Sequence, residues 1–290
     1  MFLDRVAGAP ISWGVCEVPG WGYQLDADRV LAEMREVGLV ATEFGPEGFL
    51  PVEPQAKAHR LEAAGLAAVG GFVPVVLHDP DLDVRATVLP VLESFEAADA
   101  RTLVLSADTG SVGYDERVEL DDAAWRVLFA NLDRIGDLAG DRGITATLHP
   151  HVGTVVERQS EVERVLEGAT LPLCLDTGHL LIGGTDPSAL ARAVPGRVAH
   201  VHLKDVDSGL AERVRAGELT YTEAVARDLY RPLGQGDVDV AGIVRSLEDA
   251  GYNGWYVMEQ DMILDAEPAP GAGPRAAVQS SLDYLKGLQA

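Results

Sequence analysis

Five of the seven histidines in this chain fall in three short phrases. These are TLHPH (Thr147 to His151), DTGH (Asp176 to His179) and HVHLKD (His200 to Asp205). A fourth phrase, YVMEQD (Tyr256 to Asp261), ends an apolar run with carboxylates. Each phrase follows a β-type run and sets an imidazole or a carboxylate at the run's carboxyl end. Two imidazoles and two carboxylates without a thiolate suit a divalent cation such as Mn²⁺, Co²⁺, Fe²⁺ or Zn²⁺. One donor per phrase gives His149, Asp176, His202 and Glu259 as candidate ligands. His151, His179 and Lys204 would then wall the space facing a substrate. Each phrase also has a plainer reading: a turn for HPH, a helix entry for DTG, and a satisfied core histidine for one of the two in HVH. Glu259 resists the plain reading most, because a buried carboxylate without a cation or donors is costly. What favours a metal is the coincidence of all four at one structural level.

The elements that must position these groups alternate regularly. β-type runs span Pro10–Cys16, Leu39–Phe44, Leu66–Leu77, Arg101–Ser106, Ile144–His149, Leu171–Asp176, Val198–Leu203 and Trp255–Glu259. Between them apolar residues recur at spacings of three and four, with Asp or Thr-Asp at many helix entries and Gly at many exits. Eight strand–helix units in order predict a single-domain α/β fold, the (β/α)₈ TIM barrel, over residues 1–290. Such barrels carry their sites at the strands' carboxyl ends. No G-x-G-x-x-G or G-x-x-x-x-G-K-[ST] is present to support a nucleotide fold. An irregular stretch, 207–236, interrupts the seventh unit and reads as a loop or helical insert over the barrel mouth.

Bulk properties narrow the partners. The formal charge of −23 opposes nucleic acid and anionic membranes. It is compatible with a small, neutral, polyhydroxylated substrate and with a bound cation. No apolar run reaches the ~18–20 residues of a membrane span. The first residues do not resemble a secretory signal, and Cys16 and Cys174 are too few for a disulfide framework, so a cytoplasmic protein is expected. Cys174, in LPLCLD, reads as a small buried hydrophobe. A homo-oligomer is compatible with all of this. The earlier strands add Glu43 in TEFGPEGF, and Trp13 in ISWG, close to the aromatic turn Pro19–Tyr23. They also add Asp108 in ADTG, and a later loop supplies Arg231 as a donor fork for a substrate oxygen. Their plain readings are core packing for Trp13, a turn for Asp108 and a solvated loop arginine for Arg231.

TLHPHVGT, CLDTGHL, HVHLKDVD, RPLGQGDVD and YVMEQD, in this order after PISWG, resemble the xylose-isomerase-like sugar isomerase/epimerase barrels. The segment PISWGVCEVPGW…TEFGPEGFLP is most similar to their inosose dehydratase branch. The resemblance spans essentially the whole chain. It implies one divalent metal, Mn²⁺ or Co²⁺ foremost and Zn²⁺, Fe²⁺ or Mg²⁺ as further choices, held by His149, Asp176, His202 and Glu259. Many epimerases of this superfamily carry Glu where this chain has His149, and use two opposed glutamates as matched bases. Losing that pair favours elimination over epimerisation. The implied activity is therefore a metal-dependent hydro-lyase dehydrating a keto-cyclitol such as 2-keto-myo-inositol (scyllo-inosose) in inositol catabolism. Glu259 or Glu43 would take the proton, and His151, His179 or Lys204 would protonate the leaving hydroxyl. Trp13, Asp108 and Arg231 are the candidate substrate contacts. The alternative is a metal-dependent ketose or sugar-phosphate isomerase/epimerase. The full ligand set argues against a metal-dependent ligand sensor on the same barrel, and the acidic charge argues against a DNA-repair nuclease.

Overall fold

Eight parallel strands close on themselves in chain order, the last pairing with the first. The structure is a computed structural model and describes residues 2–288. The strands are β1 (Val6–Gly8), β2 (Ala41–Glu43), β3 (Ala67–Val75), β4 (Thr102–Ala107), β5 (Thr145–Leu148), β6 (Leu173–Asp176), β7 (Val198–Leu203), β8 (Asp205–Val206), β9 (Tyr230–Arg231) and β10 (Tyr256–Met258). β8 and β9 form a separate antiparallel pair. The helices are α1 (Ala27–Glu36), α2 (Pro54–Ala64), α3 (Val84–Ala97), α4 (Asp122–Gly140), α5 (Gln159–Gly168), α6 (Thr177–Ile182), α7 (Pro187–Ala193), α8 (Ser208–Arg215), α9 (Tyr221–Val225), α10 (Val240–Asp249) and α11 (Pro274–Gly287).

The helix starts explain part of the acidic composition. Asp26, Asp83, Asp121, Asp186, Asp207 and Asp239 each accept a hydrogen bond from a first-turn backbone N–H. A carboxylate there satisfies an otherwise orphaned donor and complements the positive end of the helix dipole. The apolar core divides in two. The larger cluster lies between barrel and helices. The smaller one fills the barrel lumen with Ala7, Ala9, Ala41, Val69 and Val257. Those small side chains pack the narrow lumen, and its polar side chains gather toward the carboxyl end. Register fixes their level: Asp176 is the Cα partner of His202 across β6 and β7, and Leu203 pairs with Met258, the residue before Glu259.

Two elements differ from the sequence reading. The first strand is Val6–Gly8, and the apolar run that begins at Pro10 opens instead as a 3₁₀ turn, Pro10–Trp13. Proline's fixed φ and missing N–H start such a turn readily, and Gly14 closes it at φ 76°. The stretch 207–236 is more ordered than an irregular insert: it contains α8, α9 and β9, which pairs back onto β8. Among the described residues no helix is long and apolar enough to cross a membrane.

Candidate active site

Asp176 shows how the local sequence builds the site. As the N-cap of α6 it uses Oδ1 to accept from Gly178 N (2.9 Å) and His179 N (2.7 Å). That leaves Oδ2 free to face His149 Nε2 at 3.1 Å, His202 Nδ1 at 3.6 Å and Lys204 Nζ at 3.7 Å. Thr177 ties the neighbouring strand end to it, its hydroxyl donating to Lys204 O (2.6 Å) and accepting from Lys204 N (2.8 Å). Gly178 is required by proximity, since a Cβ there would lie 2.7 Å from Lys204 Cβ and 2.9 Å from Tyr230 Cε1.

His202 sits at the centre. Its Nδ1 lies 3.0 Å from Glu259 Oε2, and its Nε2 lies 3.0 Å from Glu43 Oε1. The same Glu43 oxygen receives His200 Nε2 at 2.8 Å. Donor atoms of Asp176, His202 and Glu259 all lie within 4.8 Å of one another, and His149 joins them through Asp176 Oδ2. The Nδ1 atom of His149 is buried and lacks a hydrogen-bond partner, while that of His202 faces Glu259 Oε2. A cation near ~2.0–2.2 Å from each donor would need only short inward shifts. The described residues therefore form a metal-site-like His/Asp/Glu group, and its chemistry fits a divalent cation. Glu43 holds the His202 ring through the Nε2 contact, as an outer carboxylate would for a metal-bound imidazole.

Electrostatics follow from burial and pairing. Burial opposes the charge on His202, but Cys174, Glu259 and Glu43 outweigh it and hold the imidazole well above its ordinary range. Burial pushes the other four site histidines down, His151 and His179 furthest. Burial alone would raise Glu43, yet His202 and His200 hold it far below the usual carboxylate range. Lys204 is penalised by burial but kept charged by Asp261, Glu259 and Asp176. Its Nζ lies 2.5 Å from Asp261 Oδ1, 3.1 Å from Glu259 Oε2 and 3.1 Å from His179 Nε2.

A cavity of about 600 Å³ is lined by Glu43, His149, His151, His202, Lys204 and Glu259 of the expected set. His151 donates Nδ1–H to Val152 O at 2.6 Å, so its neutral ring presents a bare Nε2. His179 is not on the wall: it stacks against His151, centroids 3.7 Å apart, and supports Lys204. Glu43, expected as a candidate base, is engaged by two imidazoles. The structure places the three expected substrate contacts elsewhere. Trp13 lies on the 3₁₀ turn, fully buried, with Nε1 donating to Glu33 Oε2 of α1 at 2.8 Å. Asp108 is a turn residue whose Oδ1 accepts from Gly110 N. Arg231 pairs with Asp207 at 3.3 Å. None of the three lines the cavity.

Residues not singled out in the sequence take those places. Trp21, from the same aromatic turn, lines the cavity and packs near Tyr221. Tyr221, at the start of α9, donates to Asp261 Oδ2 at 2.6 Å. Tyr114 lies 4.4 Å, centroid to centroid, from His151 and hydrogen-bonds Glu17. Asp261 was visible in YVMEQD as a second carboxylate two residues beyond Glu259. Tyr114 and Tyr221 carried no local signal, because long-range packing brings them to the site.

A closed parallel barrel with a buried imidazole–carboxylate cluster at its strands' carboxyl ends is the architecture of a (β/α)₈ enzyme. Comparison with known proteins narrows the class. The sequence pattern of the xylose isomerase-like TIM barrel family matches residues 23–288, and the chain belongs to that family. It is 32% identical to an inosose dehydratase of Geobacillus kaustophilus (strain HTA426), over 98% of this chain and 94% of that protein. It is 31% identical to the rhizopine catabolism protein MocC of Rhizobium meliloti, over 89% and 81%. Among solved structures, an L-ribulose 3-epimerase superposes with a TM-score of 0.69 at 17% identity, over 98% of this chain and 94% of that one. A zinc-binding IOLI protein superposes with a TM-score of 0.65 at 12% identity, over 98% and 97%. At those identities the structural likeness establishes the fold.

Proposed function

We propose that this protein is a metal-dependent dehydratase of a keto-cyclitol, 2-keto-myo-inositol being the simplest substrate. The observation that carries the reading is the end-to-end similarity to an inosose dehydratase, in a chain where donor atoms of Asp176, His202 and Glu259 lie within 4.8 Å of one another and His149 faces Asp176. His149, Asp176, His202 and Glu259 would hold the cation. Bound there, a divalent cation would polarise the substrate ketone and offset the negative charge that develops when the α-proton leaves.

The chain's own groups supply the proton traffic. Glu259 takes the α-proton, and Lys204, cationic and 3.1 Å away, gives a proton to the departing β-hydroxyl, which leaves as water. The proton on Glu259 then returns to Lys204 along that contact, and both groups are reset. Asp261 and His179 hold the ammonium in place. The bare Nε2 of His151 accepts a substrate hydroxyl and orients the ring. Trp21, Tyr114 and Tyr221 supply flat apolar faces for a cyclitol and exclude water.

The test is turnover of scyllo-inosose by metal-replete protein in D₂O, followed by NMR and mass. The expected product has lost one water and is a dione or its enol. An isomer of unchanged mass with deuterium at an inverted carbon would overturn the lyase reading in favour of an epimerase. Glu259→Gln, saturated with metal, should lose turnover by a factor of at least ~10²; near wild-type turnover would remove Glu259 from the mechanism.

A further inference from the structure

The barrel lumen beneath the cluster contains a thiol. Cys174 lies on β6 two residues before Asp176, so both side chains enter the lumen on the same face of the strand, one layer apart. It is fully buried, and the β6–β7 register pairs it with His200. The sulfur and one ring nitrogen each of His149 and His202 lie within 4.8 Å of one another. Of the two imidazoles, His149 keeps a buried Nδ1 without a hydrogen-bond partner, while Nδ1 of His202 faces Glu259 Oε2 at 3.0 Å; both side chains are about 1% exposed. A cysteine serving only as a small apolar filler would account for neither its place against two imidazoles nor the unpartnered Nδ1 of His149.

We propose that Cys174 is a sulfur donor at the floor of the metal site, which with His149 and His202 forms an N₂S corner for thiophilic divalent cations. Thiolate and imidazole favour Zn²⁺, Co²⁺ and Cd²⁺, whereas the carboxylates of Asp176 and Glu259 above favour Mn²⁺ and Mg²⁺. The site would thus offer a hard upper face and a soft lower face around shared imidazoles. Soft cations would be drawn down toward β6 and away from Glu259. When the metal–sulfur bond forms, the thiol proton leaves to solvent and no electrons are exchanged. Metal–sulfur bonds run near ~2.3 Å and metal–nitrogen bonds near ~2.0–2.1 Å, so the donors close in by about an ångström or less. The proposal rests on the metal reading above, and its test separates the two.

Metal-free protein is titrated with Co²⁺ and followed by absorption. Visible d–d bands report a cation held by the cluster. A near-ultraviolet sulfur-to-cobalt charge-transfer band reports the thiolate. The wild type should show both. Cys174→Ala should keep the d–d bands and lose the charge-transfer band, and Cys16→Ser should keep both. By competition with a chelator, Cd²⁺ affinity should fall at least ~10-fold in Cys174→Ala while Mn²⁺ affinity changes less than ~2-fold, as expected for a ligand that only soft ions use. Cys174→Ser, nearly the same size, serves if the alanine variant does not fold. Wild-type d–d bands without the charge-transfer band, or a band that survives in Cys174→Ala, would overturn the proposal and leave the metal reading standing. No d–d bands at all would overturn both.

Discussion

Glu43→Gln separates two roles that a carboxylate at this position could have. Glu43 accepts from His202 Nε2 (3.0 Å) and His200 Nε2 (2.8 Å) through the same oxygen, Oε1. Glutamine can keep an oxygen there, so the contacts survive and only the charge is lost. A hydrogen bond to a charged acceptor contributes ~1.5–3 kcal/mol against ~0.5–1.5 for a neutral one, a difference of roughly 1–1.5 kcal/mol per bond. Only the His202 bond bears directly on a proposed metal ligand, so metal affinity should weaken by about tenfold, since 1.4 kcal/mol is one decade. That lies at the low end of the ~10–100-fold typical when an outer partner of a metal-bound histidine is changed. Chelator competition with Mn²⁺ or Zn²⁺ measures it, and kcat at saturating metal completes the assay. If Glu43 holds His202, excess metal restores most of kcat. If it is the base, kcat stays low however much metal is added. Wild-type metal affinity in a folded Glu43→Gln protein would refute the positioning argument.

Three further outcomes follow from the same geometry. Asp205 accepts four backbone N–H groups, from Val206 and Val238 at Oδ1 and from Gly234 and Gly236 at Oδ2. Asp205→Asn turns one oxygen into a donor facing two donors, so it should cost roughly 2–5 kcal/mol and lower Tm by roughly 4–10 °C for a chain of this size. A calorimetric Tm within a degree of wild type would contradict this. Gly178→Ala drives a methyl into Lys204 Cβ and Tyr230 Cε1, an overpacking of ~1–3 kcal/mol that also displaces Lys204; kcat should fall more than metal affinity, and equal losses in both would argue otherwise. His151 and His179 are depressed well below their ordinary 6.5 by burial. The unfolded chain therefore binds protons below pH 6.5 that the folded one refuses, and stability present above that value is lost as pH falls. Two such groups give up to roughly 3 kcal/mol per pH unit. Denaturant midpoints at pH 7.5, 6.5 and 5.5 should drop steeply over the last interval, and a flat profile would count against neutral buried histidines.

The barrel was legible because its signals are local and repeated. Seven of the eight expected β runs overlap a barrel strand, and acidic helix entries coincide with observed N-caps. The first strand was missed for an equally local reason: VAG is too short and small to stand out beside PISWGVC, and a proline at the head of that run favours a 3₁₀ turn over a strand. Trp13 moved with it, and a neighbouring tryptophan, Trp21, reached the cavity instead. The four candidate ligands could be aligned from sequence because each ends a strand and parallel register keeps strand ends level. The tyrosines could not, because Tyr221 depends on how 207–236 folds back and Tyr114 on a long loop after β4.

The plain and the chemical readings of a residue proved compatible rather than competing. The DTGH phrase reads as either a helix entry or a ligand position, and the two oxygens of Asp176 divide those duties: Oδ1 caps α6 and Oδ2 faces His149 and His202. The cap fixes the carboxylate's torsions, so the oxygen left over is already aimed, and a cation would meet a donor with little freedom to lose. HVHLKD divides the same way between neighbours. His200 is the satisfied core histidine, held by Glu43, and His202 takes Glu43 on one nitrogen and offers the other to the cluster. Asp176→Asn tests this coupling, because an amide can keep the cap through its oxygen only by turning its nitrogen toward the cluster. A variant that retains α6, judged by Tm, while losing metal affinity would show that the two oxygens act independently. One that loses both together would show that the cap is what aims the ligand.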